Sequence, residues 1–178
     1  MRLFLSLVAI GILSGIAPAS EPDRFSTAPV PRDGAKWRIG YYEGGPYGNY
    51  QESFIAIVNG LAELGWMEPA PRLASIASNR DRWEWLSRSA SSDYLEFVQD
   101  AFYSAKWDKQ GRKLLRARII TRLKEKGDID LIIAAGTWAG RDLATNAHQT
   151  PVVAMAISDP IGSGVVESRP STGLVHIH

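Results

Sequence analysis

The sequence predicts an α/β fold with a doubly wound parallel sheet, and three observations predict it. Leu131–Ala135 is a short, uncharged apolar run, the composition of a strand covered on both faces. Pro151 leads into a second such run, Val152–Ile157, and the small-residue-rich stretch Trp138–Ala147 between them offers Leu143 and Ala144 to an inner face. Upstream, Phe54, Ile57, Val58, Leu61 and Leu64 recur at spacings of three and four, the buried stripe of an amphipathic helix. Strand, helix and strand make a β-α-β unit, whose crossover is right-handed in nearly all cases. Ligands in open α/β sheets sit at the carboxyl ends of the strands, so the residues there carry the functional argument.

The bulk properties narrow the classes. A chain of 178 residues holds one domain of ordinary size, and 45% apolar with 22% charged residues is a globular composition. No cysteine is present, which removes disulfides, thiolate metal sites and thiol catalysis. Met1-Arg2, the apolar run Leu3–Ile16 and the small residues Ala17-Pro18-Ala19 predict a cleaved secretory signal over residues 1–19, hence a periplasmic protein. The run is short for a helix crossing a bilayer of ~30 Å. Cleavage removes Arg2 from a total of 20 Lys and Arg against 19 Asp and Glu, which leaves a neutral chain, a poor candidate for nucleic-acid binding.

The elements follow in order. Residues 20–35 are proline-rich without apolar periodicity and read as an extended linker. Trp37–Tyr42 alternates as the first strand of a lobe spanning 36–178, and Glu43–Gly48 is a glycine-rich loop. Asn49 with Glu52 has the capping-box spacing that opens a helix, and Gly65 is placed to end it in a left-handed conformation. Arg72–Ala77 reads as a weak second strand. From 78 to 108 the chain becomes aromatic, with Trp83, Trp85, Tyr94, Phe97, Phe102, Tyr103 and Trp107. Ser78 with Asp81 and Asp93 with Glu96 mark two short helices, and Leu95, Val98 and Phe102 keep helical spacing. This predicts an aromatic helical insertion, serving either as extra core or as a lid over a ligand site. Lys109–Lys126 is a basic helix with Leu115, Ile119, Ile120 and Leu123 inward. Its cationic face (Arg112, Lys113, Arg116, Arg122, Lys124, Lys126) reads as solvated, with anionic lipid or an acidic partner as the alternative. Gly127-Asp128 stops that helix, Ile161–Val166 is a short helix or turn, and Thr172–His178 is a further strand in which the sequence stops.

The chemistry at the strand ends is that of binding. Tyr42–Gly48 lacks the G-x-G-x-x-G spacing and the P-loop lysine, and Pro46 removes a backbone donor, so nucleotide binding has no support. Glu43 and Tyr47 offer an acceptor and an aromatic face to a small ligand, or form a surface turn. Thr137 and Trp138 start a helix directly after a strand, suited to an anion or to simple capping and packing. Ser158-Asp159-Pro160 is turn chemistry, and Asp159 is also able to accept from an ammonium group. His148, placed in a polar loop, His176 and His178 do not assemble a metal site, and no serine elbow or His-paired nucleophile occurs. No cofactor and no catalytic residue are expected.

Taken together, Arg38-Ile-Gly-Tyr, Phe54, Asn59–Trp66, Asp130–Thr137, Ala144, Thr150–Val153 and Ser158–Val166 resemble the ABC-transporter substrate-binding proteins with a type I periplasmic-binding-protein fold, a branch that includes binders of aromatic amino acids. The resemblance covers roughly residues 36–178 and rests on order and spacing. It implies a flavodoxin-like first lobe whose second lobe is missing. It also implies a small-molecule ligand held between lobes, a membrane permease as partner, and a cleft faced by Glu43, Tyr47, Thr137, Trp138, Ser158 and Asp159. The segment 78–108 is longer than that family's pattern. An extracytoplasmic sensing module is the alternative, and an enzyme on the same lobe is a third class.

Overall fold

The computed structural model describes residues 26–166 and 174–177. The predicted signal segment and residues 20–25 of the linker lie outside that range. The strands are β1 (Trp37–Glu43), β2 (Leu95–Ser104), β3 (Leu131–Ala135), β4 (Val152–Met155) and β5 (Leu174–Ile177). The helices are α1 (Gly48–Glu63), α2 (Asn79–Ser89), α3 (Lys109–Glu125) and α4 (Gly136–Leu143). All neighbouring strands pair in parallel, in the order β2-β1-β3-β4-β5. This is the doubly wound, flavodoxin-like sheet, with the predicted central pair beside β1.

Alternation along the strands sorts side chains to two faces. Ile39, Tyr41, Ile133 and Met155 pack with Phe54 and Val58 of α1 and Trp83 of α2. Tyr42, Ile132, Ala134 and Val152 pack with Ile119 and Leu123 of α3 and Leu143 of α4. Helix α1 closes as predicted: Gly65 has φ +79°, its N–H donates to the Ala62 carbonyl, and the Trp66 N–H donates to that of Leu61. These two bonds are a Schellman motif.

The segment 78–108 corrects the sequence reading. Ser78 caps α2 as expected, accepting from the Asp81 N–H at 3.1 Å. The second predicted helix does not form, because Leu95–Ser104 is the edge strand of the sheet. Its helical spacing comes from a bulge. Ile39 pairs with Phe97 and Tyr41 with Phe102, so Val98–Ala101 stand opposite Gly40 alone. The bulge is held from both sides: the Trp83 indole donates to the Val98 carbonyl at 3.0 Å, and Arg122 donates to the Asp100 carbonyl at 3.1 Å and its carboxylate at 2.7 Å. The aromatic segment is therefore sheet and crossover rather than an insertion, and Trp83, 1% exposed, is core.

Other departures are smaller. Pro71–Ser75 is a 3₁₀ turn, not a strand, with proline at its start. The Asn49–Glu52 capping box is not used; Tyr47 stands at the N-cap of α1 without a side-chain cap. Helix α4 and strand β4 end earlier than predicted, at Leu143 and Met155, the latter followed by Ala156 at φ 54°. Residues 160–164 are turn. The linker is docked where it is described: the Thr27 and Val30 carbonyls accept from the Trp66 and Trp37 indoles, each at 2.9 Å. Three of the six cations expected to be solvated are tied down, Arg112 and Arg116 to Asp142, and Arg122 to Asp100 and Asp128. His148 lies in a loop, as predicted, but is buried there, and neither ring nitrogen has a well-formed hydrogen bond.

Candidate functional site

The strand order reverses between β1 and β3, which places a crevice at their carboxyl ends. A cavity of about 380 Å³ lies beside it, at the ends of β1 and β2, and its lining includes Glu43, Tyr47, Gln51, Asn79, Arg80, Phe102, Ser104 and Trp107.

Glu43 is the last residue of β1 and 4% exposed. One carboxylate oxygen accepts from the Ser104 hydroxyl at 3.0 Å and the other from the Tyr41 hydroxyl at 3.2 Å. The Tyr41 oxygen accepts in turn from the Asn79 amide at 3.0 Å. Burial pushes the Glu43 carboxyl above its ordinary value; the Ser104 and Tyr41 hydroxyls and the Arg80 charge draw it part of the way back. Its hydrogen-bond donors are neutral. Arg80, a cation of the cavity lining, rests on the Phe102 ring at 4.8 Å from its centroid.

After Glu43 the chain runs beneath a tryptophan. A Cβ added at Gly45 would stand 2.6 Å from the Trp107 ring nitrogen, and one at Gly44 would stand 2.8 Å from the same indole. The two glycines are therefore required for close approach. Trp107 is fastened to this loop: its N–H donates to the Gly44 carbonyl at 2.8 Å and its indole to the Pro46 carbonyl at 3.2 Å. Lys106 and Trp107 both hold left-handed φ values, 51° and 60°. Such conformations in side-chain-bearing residues cost about 1–3 kcal/mol each and gather at functional sites. The Trp107 ring meets Trp138 edge-on at 5.5 Å and Tyr50 at 6.3 Å, and Tyr47 meets Tyr50 at 5.1 Å. Gly136, at φ +78°, admits the Tyr50 hydroxyl to the start of α4, where a Cβ would overlap it. Aromatic rings thus span the carboxyl edge from β2 to β3.

Of the six residues expected at the cleft, Glu43 and Tyr47 line the cavity. Thr137 and Trp138 lie half-buried in the first turn of α4, where Ala135 is the N-cap and no side chain caps. Trp138 adjoins the cavity through Trp107, and its ring carries the Arg112 guanidinium at 4.5 Å. Ser158 and Asp159 are exposed in the turn after β4, where the Asp159 carboxylate accepts from the Gly162 N–H at 2.7 Å. They stand apart from the cavity lining. Asn79, Arg80 and Ser104 were not singled out from the sequence. The capped start of α2 at Ser78 was the signal available for the first two, and Ser104 was hidden by reading its strand as helix.

No protein-family model and no curated protein matches the chain. Solved structures do match. The chain is similar to an ABC domain from Streptococcus pneumoniae crystallised in complex with L-Trp, at 18% identity and TM-score 0.50 over 80% of this chain and 38% of that one. A conserved domain protein from Vibrio cholerae aligns at 12% identity and TM-score 0.48, covering 80% and 38% of the two chains. A ligand-free, open substrate-binding protein with adhesive properties from Clostridium difficile aligns at 17% identity and TM-score 0.46, covering 79% and 38%. The chain spans about two fifths of the length of these structures. The first likeness shows a shared fold, the α/β lobe described above.

Proposed function

We propose that this chain is a solute-binding lobe of an extracytoplasmic receptor, non-enzymatic, that presents a small polar or aromatic solute, an amino acid among the candidates, to an ABC-transporter permease. The observation that carries the reading is the cavity at the carboxyl ends of β1 and β2, with Glu43 in its wall. A buried carboxylate held by neutral hydroxyls is costly unless a cation joins it, and a ligand ammonium group supplies one. Tyr47, Phe102 and Trp107 offer the apolar lining typical of small-molecule sites. The shared fold with a protein crystallised with L-Trp supports the same class of ligand. Export through residues 1–19 and a second lobe closing over the cavity belong to this proposal.

The test is a titration of the isotopically labelled chain, followed by backbone amide resonances, with L-tryptophan, L-phenylalanine and simple arylalkyl amines. With one lobe supplying part of the contacts, we expect saturation in the range of about 1 mM, near −4 kcal/mol. The shifts should centre on Glu43, Gly44, Tyr47 and Trp107, and Glu43→Gln should abolish them while leaving the fold intact. If no member of the panel moves these resonances, or if Glu43→Gln binds as well as the parent, the reading fails.

A further inference from the structure

Helices α3 and α4 lie on the same face of the sheet and enclose a groove of about 510 Å³. Its charged lining is five cations, Lys109, Arg112, Lys113, Arg116 and Arg141, and one carboxylate, Asp142. Asp142 is already engaged. Its side chain is 7% exposed, accepts from the Tyr42 hydroxyl at 2.7 Å, and takes Arg112 in a two-pronged contact at 2.8 and 2.9 Å. Arg116 stands 3.8 Å from it. Lys109, Lys113 and Arg141 are exposed and make no ion pair among the described residues. A chain with a formal net charge of +1 therefore concentrates a large positive excess in one concavity.

We propose that this groove docks an acidic peptide segment of a protein partner. The sign of the charge calls for an anion. The number of uncompensated cations calls for several carboxylates in succession rather than one. The concave shape admits a chain, whereas a flat lipid surface meets only its rims. The floor is pre-organised, since the Arg112 plane is fixed on the Trp138 ring by Asp142. Trp138 also separates the groove from the cavity of Glu43, because it meets Trp107 edge-on. The two sites are neighbours with opposite electrostatic demands.

The experiment is fluorescence anisotropy of a dye-labelled hexaglutamate peptide against the full chain. We expect saturable binding that weakens as salt rises from about 0.05 M to about 0.3 M and the screening length shortens. The triple variant Lys109→Glu, Lys113→Glu, Arg141→Glu should lose at least ~10-fold in affinity. A control with the same change in net charge, Arg118→Glu, Lys124→Glu, Lys126→Glu, should bind as the parent does; all three of its positions are exposed. Circular dichroism verifies that both variants fold, and Lys113→Glu alone gives the same readout in a smaller step should the triple variant unfold. Equal weakening by both triple variants, no peptide binding, stronger binding to phosphatidylglycerol vesicles than to the peptide, or full displacement by equimolar pyrophosphate would each overturn the proposal.

Discussion

Gly45→Ala adds one methyl group where Trp107 already stands. The new carbon would lie 2.6 Å from the indole nitrogen and 2.7 Å from two ring carbons. Ordinary carbon contacts are about 3.5–4.0 Å, so the ring or the loop has to retreat by about 1 Å. The ring is not free to do so. Its backbone N–H is bonded to Gly44, its indole N–H to Pro46, and Trp138 stands on its flank. Overpacking of this kind costs about 1–3 kcal/mol, which in a domain of this size lowers Tm by roughly 2–12 °C. Gly45 is not among the glycines with positive φ, so the cost is steric and not conformational. Gly60→Ala is the matching control: it lies within α1 with nothing inside 4 Å of the added carbon, and it should raise stability by up to ~1 kcal/mol. Thermal unfolding by circular dichroism reads both. A cycle with Trp107→Ala completes the test, because removing the ring should relieve Gly45→Ala by about 1 kcal/mol or more. An unchanged Tm for Gly45→Ala, or strict additivity with Trp107→Ala, would refute the packing argument.

Two further outcomes follow from charge and burial. Asp130 accepts from the Arg38 backbone N–H and guanidinium, each at 2.9 Å; burial pushes its carboxyl up, but those bonds and the Arg38 and Arg32 charges override it and hold it below the ordinary value. Asp130→Ala should therefore cost about 1.5–3 kcal/mol in urea unfolding near neutral pH. A depressed carboxylate stabilises above its unfolded value and loses that contribution as pH falls through its folded one, so the gap to the parent should close below about pH 4 and a constant gap would contradict it. His148 is 7% exposed, and burial lowers its pKa; the Leu143 and Thr150 carbonyls, near the ring but outside well-formed hydrogen-bond geometry, oppose that only in part. The fold should accordingly lose stability as pH drops below about 6.5, where the unfolded chain protonates first, and His148→Leu should flatten that slope in Tm measured between about pH 7.5 and 5.5.

What was legible in the sequence was what local chemistry decides. Leu131–Ala135 and Val152–Met155 are apolar without interruption and pair in parallel, Gly65 closes α1 in a left-handed turn, and Ser78 caps α2. Each of these needs only its neighbours in the chain. Leu95–Ser104 failed for the opposite reason. Its pattern has the period of a helix because four residues bulge out of register, and what holds the bulge is Trp83 from one helix and Arg122 from another. Neither partner is visible in the strand itself. The cationic face of α3 failed likewise: Arg112 and Arg122 look solvated until Asp142 and Asp100 arrive from elements distant in sequence.

The same division runs through the candidate site and explains why half of it was missed. Glu43 and Tyr47 follow a strand, and the rule about strand ends finds them. Ser104 and Trp107 reach the cavity because β2 lies beside β1, a pairing between segments some sixty residues apart, as in Glu43 with Ser104, and Asn79 arrives on α2, donating to the Tyr41 hydroxyl and the Tyr50 carbonyl. The cavity is also where local preferences are overridden. Lys106 and Trp107 sit in left-handed conformations, two glycines yield their space to an indole, and a carboxylate is buried beside hydroxyls. A sequence whose every local choice agrees with its fold is readable, and real proteins depart from that agreement where function requires it. Lys106, Trp107, the two glycines and Glu43 meet at one wall of one cavity, while the left-handed Ala156 and the buried His148 lie elsewhere. That meeting of departures, more than any single residue, is what supports the proposed ligand site.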